Sequence, residues 1–146
     1  MKHMIIAFGL PLAAAILPAH ALGQAADKAM TVKLQETITP LFQGALPNVP
    51  GKALIAVEVS FPPGAASPPH RHPASSFVYA YVLSGEIISA VGDDKPRVYR
   101  TGESWHEGPG AHHTVTRNAS KEKPAKLLVI FVVDPDTPQL VIPDRP

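Results

Sequence analysis

Prolines and glycines decide most of what this chain can become. Seventeen prolines and ten glycines punctuate 146 residues, so few windows stay free of helix breakers. Between the breaks lie short runs at 53–61 (ALIAVEVSF), 77–83 (FVYAYVL), 86–91, 97–100, 104–107, 112–117 and 127–133 (LLVIFVV). These runs are short and rich in β-branched and aromatic residues, the signature of strands. Pro62-Pro63-Gly64, Ser84-Gly85, Gly92-Asp93-Asp94, Thr101-Gly102 and Gly108-Pro109-Gly110 separate them as turns. Residues 31–39 read as a further strand stopped by Pro40, and 41–52 as a loop. Roughly eight to ten short strands at this spacing predict an all-β sandwich or barrel.

Charge excludes more than it suggests. Thirteen Lys+Arg stand against twelve Asp+Glu, a net of +1, and no basic stripe recommends nucleic acid as a partner. The absence of cysteine removes disulfides, thiolate metal sites and cysteine nucleophiles, so any metal is held by nitrogen and oxygen. Lys2 and His3, the apolar run 5–17 and Ala19-His20-Ala21 have the layout of a signal peptide. The expected organisation is a signal peptide at 1–21, an N-terminal strand and loop at 22–52, a barrel core at 53–133 and a proline-rich tail at 134–146. The mature protein is then periplasmic or secreted, with no membrane association after cleavage.

Five of the seven histidines fall between positions 70 and 113. His70 and His72 stand two residues apart, and in an extended segment both point to one face. Two such imidazoles form a ready metal chelate, and Pro68, Pro69 and Pro73 stiffen the backbone around them. His112 and His113 are adjacent, so in a strand they point to opposite faces and only one can join that pair.

The spacing around these residues resembles the cupin superfamily of small double-stranded β-helix, or jelly-roll, barrels. Its first motif is matched by Gly64, five residues, His70-Arg71-His72, and later by Tyr81-Val82-Leu83-Ser84-Gly85-Glu86. Its second is matched by Gly102, five residues, Gly108-Pro109-Gly110, two residues, His113 and, four residues on, Asn118. The resemblance implies that His70, His72 and His113 are metal ligands. It also exposes a departure, because the family's glutamate ligand falls on Val78 counting back from Gly85 across six intervening residues, or on Ser76 or Phe77 counting forward from His72, and none of these is a good metal ligand. The carboxylate slot therefore reads as empty. Three imidazoles without a carboxylate favour Zn, Cu, Ni or Fe over Mn as the divalent ion.

Other residues near the motifs are candidates for the chemistry. His106 and Glu107 alternate along one strand, so one faces in. An inward His106 would be a fourth ligand, and an inward Glu107 a general base or a partner orienting a histidine N–H. Tyr79, Tyr81 and Trp105 are candidates for stacking a substrate ring. Asn118-Ala119-Ser120 matches a glycosylation sequon. The resemblance implies a metal-dependent enzyme of dioxygenase, isomerase or lyase type acting on a small organic molecule. The alternative is a non-catalytic module that binds a small molecule or a metal. A homodimer is expected, with the edge strand 31–39 or tail residues 140–142 exchanged between copies.

Overall fold

The computed structural model describes residues 35–145. The signal-peptide region and the first four residues of the strand expected at 31–39 lie outside the described residues. Within them the chain forms eleven strands and no helix. They are β1 (Thr37–Ala45), β2 (Ala53–Phe61), β3 (Ala66–Ser67), β4 (His70–Arg71), β5 (Phe77–Ser84), β6 (Glu86–Val91), β7 (Arg97–Arg100), β8 (Ser104–Glu107), β9 (His112–Asn118), β10 (Ala125–Val133) and β11 (Ile142–Pro143). One antiparallel sheet has the order β1-β2-β10-β5-β8, and a second the order β11-β4-β9-β6-β7 with β3 also on β9. This is the jelly roll that the family resemblance implies, within the sandwich or barrel class that the strand spacing predicts.

Alternation explains the core. Along β10, Ala125, Leu127, Val129, Phe131 and Val133 are buried while the residues between them are not. Val57, Val59 and Phe61 of β2 and Val78, Ala80 and Val82 of β5 turn the same way. A sheet with one packed and one wet face needs this period of two. Each fully buried Val, Leu or Phe contributes about 1.5–3 kcal/mol. Gly85 links β5 to β6 at φ 74°, and a Cβ there would lie 2.7 Å from the Pro124 carbonyl oxygen. Only glycine fits that turn against the start of β10.

Two expectations change. Pro40 does not end its strand, because β1 continues to Ala45. On an edge strand a missing N–H need not break a ladder, and the pairing with β2 absorbs the irregularity as a register shift between Pro40 and Phe42. The tail also pairs within its own chain. Ile142 lies opposite Arg71 and Pro143 opposite His70, so the tail covers the strand that carries the first histidine.

Candidate metal centre

The β4–β9 ladder assembles the histidines. His70 lies directly opposite His113, and His72 follows β4 with its amide bonded to the Ala111 carbonyl. All three rings are buried. Their centroids are 5.0 Å (His70–His72), 5.2 Å (His70–His113) and 6.3 Å (His72–His113) apart. One nitrogen from each ring lies within 4.8 Å of the others. His112 takes the opposite face and pairs with Asp144 at 2.8 Å, as alternation requires.

Neighbouring groups set the rings. His70 Nδ1 lies 2.9 Å from the Pro68 carbonyl and His72 Nδ1 2.7 Å from the Leu140 carbonyl. A carbonyl only accepts, so both Nδ1 atoms donate and each neutral ring keeps its lone pair on Nε2. His113 Nε2 meets the hydroxyls of Ser89 at 2.8 Å and Thr116 at 2.6 Å. These supports were not visible in the motif. The Leu140 carbonyl comes from 68 residues down the chain, and Ser89 from a different strand.

Glu107 lies against two of the three histidines. It is 2% exposed, with Oε1 3.1 Å from His113 Nδ1 and Oε2 3.3 Å from His72 Nε2. Trp105 Nε1 donates to Oε1 at 3.1 Å. A carboxylate thus stands beside the histidines although the position counted back from Gly85 holds Val78. Glu107 is the cross-strand partner of Val78 on the β5–β8 ladder, and Val78 is the motif's glutamate position when counted back from Gly85.

The electrostatics of this group suit a cation. Burial opposes charge on Glu107, but the His113 and His72 rings beside it outweigh burial and hold the carboxyl well below the usual range. Burial likewise opposes charge on His72, yet Glu107 and the Leu140 carbonyl leave its pKa raised. His70 has no such carboxylate contact, and burial lowers its pKa. Glu107 Oε2 has no aligned hydrogen-bond partner although it is buried. It faces His72 Nε2, which is a lone pair when the ring is neutral. Two acceptors at 3.3 Å need positive charge between or beside them, supplied by a proton or a metal ion. The residues present thus fit a divalent metal ion.

The profile of the cupin domain matches residues 57–131, just over half of the chain. The chain belongs to the cupin family. It is similar to TT1209 from Thermus thermophilus, with 30% identity over 69% of this chain and 86% of that one and a TM-score of 0.55. It is similar to the DMSP lyase DddQ from Ruegeria pomeroyi DSS-3, with 26% identity over 70% of this chain, 49% of the lyase and a TM-score of 0.56. This cupin thus spans about half of the lyase's length. A recombinant oxalate oxidase in complex with glycolate is similar at 25% identity, over 69% of this chain and 52% of that one, with a TM-score of 0.53. No curated protein matches the chain.

Several predicted residues stand away from the centre of this cupin. His106 is exposed and stacks on Phe77 at 5.7 Å. It cannot be a fourth ligand, because buried Trp105 and Glu107 on either side hold the inward phase of β8. Tyr79 is exposed and Tyr81 half-buried, on the face of β5 opposite Val78 and Ala80. Neither lines the cavity beside the histidines. Trp105 does face in, but its indole holds Glu107 and packs on Tyr99 at 4.7 Å rather than lining that cavity. Asn118 is 3% exposed, and its amide nitrogen reaches the carbonyls of Phe61, Pro62 and Lys123. That burial makes the sequon a structural asparagine.

Proposed function

We propose that this cupin binds one divalent metal ion through His70, His72, His113 and Glu107 and acts on a small organic molecule as a dioxygenase, isomerase or lyase. The observation that carries the reading is the buried Glu107 carboxylate set against His72 Nε2 and His113 Nδ1, with His70 beside them and the other nitrogen of each ring already engaged. The similarity to a lyase and to an oxalate oxidase supports the enzymatic half of it. When bound, the metal supplies Lewis-acid activation of an oxygen-bearing ligand. The protein's own contributions are separate from that. The Pro68 and Leu140 carbonyls hold the ring tautomers, the Ser89 and Thr116 hydroxyls hold His113, and Trp105 holds Glu107. Such supports raise ligand basicity and fix geometry. The apolar walls exclude water and so strengthen every charge interaction inside.

One carboxylate offsets part of the metal's charge and returns Mn to the candidates beside Fe, Zn, Cu and Ni, since Mn favours oxygen ligands. Metal analysis of the purified protein tests the site: one equivalent is expected, and its loss in His72→Ala. No stoichiometric metal in the parent protein removes the reading. Assays against catechols, flavonols and small keto acids under oxygen then test the chemistry, and tight ligand binding without turnover would favour a binding module. Export follows the N-terminal signal pattern and is tested by cell fractionation. A homodimer is proposed because β1 is an edge strand that exposes Ile38, Leu41 and Phe42, a pairing liability when left uncovered. A solution mass of one chain would remove it.

A further inference from the structure

The metal-centre histidines and Glu107 open onto a cavity of about 160 Å³. A cavity of about 150 Å³ with an aliphatic and aromatic lining holds a benzene molecule. One wall is continuous hydrocarbon from β2 and β10: Val57, Val59, Phe61, Leu127, Val129 and Phe131. Apart from the centre itself, the polar side chains on the wall are Ser67, Thr116 and Glu36. Among the described residues that line it, none is lysine or arginine. Glu36 Oε2 is buried and has no hydrogen-bond partner among the described residues, so the wall carries a second carboxylate as well as Glu107.

This lining is selective by charge. A ligand with one oxygen-bearing end can place that end on a metal and bury the remainder against hydrocarbon. A second negative charge reaching beyond the metal finds no cation to pair with among the described residues, loses its water and meets Glu36. We infer that the substrate is a compact molecule of about benzene size, with a single oxygen-bearing metal-binding end and an otherwise uncharged body, and that Glu36 is the residue that rejects a second anionic group. This inference rests on the proposed metal site. It separates this cupin from any that anchors a long dicarboxylate, and it assigns Glu36 a specificity role outside both family motifs.

The test compares two ligands of one shape, glutarate and 4-nitrobutanoate, which differ by one negative charge. Each is titrated calorimetrically into the zinc-loaded full chain and into zinc-loaded Glu36→Gln. Zinc stoichiometry is measured first, so failure of the metal site shows before any ligand is added, and the inference then falls with it. With zinc bound, 4-nitrobutanoate is expected to bind about hundredfold more tightly than glutarate, and Glu36→Gln to narrow the gap about tenfold. Equal or tighter binding of glutarate overturns the inference, as does failure of the zinc protein to bind either ligand. A gap that Glu36→Gln leaves unchanged overturns the assignment to Glu36.

Discussion

Moving the Glu107 carboxylate back across the β5–β8 ladder is the sharpest perturbation of this site. Glu107 and Val78 are direct cross-strand partners and line the same cavity, so their Cβ atoms are about 4.5–5.5 Å apart. Two unit charges at about 4 Å interact by about 4 kcal/mol at an effective dielectric of about 20, and a divalent ion doubles this. The proton that must leave His72 and the desolvation of the carboxylate oppose it. A net contribution of about 3–4 kcal/mol makes Glu107→Val weaken metal binding about hundredfold to thousandfold. Glu107→Gln keeps an acceptor for Trp105 and isolates the loss of charge. Val78→Glu/Glu107→Val keeps the number of buried carboxylates and should regain at least about tenfold of the affinity. Competition against a chromophoric chelator measures each value, with circular dichroism to establish that every variant is folded. A folded Glu107→Val within about threefold of the parent would show that Glu107 is no ligand. A folded double variant with no recovery would show that the two positions are not equivalent.

Other outcomes follow from the same contacts. Because the His72 pKa is raised, the ring keeps its proton to higher pH than a free imidazole and the metal must displace it; affinity should rise with pH until that pKa is passed and then level off. Calorimetry in two buffers of different ionisation heat reads the released proton, and no release near pH 6.5 would contradict the arrangement. Removing residues 138–146 takes away the Leu140 carbonyl and β11, and should weaken metal binding about 10–100-fold in the same chelator competition. Gly85→Ala forces a Cβ toward the Pro124 carbonyl at positive φ and should cost about 3 kcal/mol or more in urea unfolding. Asn118→Ala strands the carbonyls of Phe61, Pro62 and Lys123, and should cost about 2–3 kcal/mol by the same measurement.

What could be read from the chain divides along the range of the physics involved. Strands β2 and β6–β8 match the runs read at 53–61, 86–91, 97–100 and 104–107, because alternation and turn residues act over a few positions. The His70–His72 pair was legible for the same reason, since a two-residue period is local. Pro40 misled because its effect depends on whether a strand is central or at an edge, and that is a property of the sheet. Glu107 shows the limit most clearly. Half of its placement was already present in Trp105: a core tryptophan puts the residue two positions later on the same face, so Glu107 points in and His106 out. The other half was absent, because counting along one strand finds Val78 and stops. The carboxylate opposite it belongs to a strand reached only through the Val78–Glu107 register. A buried site needs an acid at a point in space and not at a point in the chain. Val78 and Glu107 face each other on one ladder and line the same cavity, so an acid on either strand reaches the same region of the centre. A motif written as residue spacings records the ligand's place in the chain and loses it when the ligand crosses to the neighbouring strand.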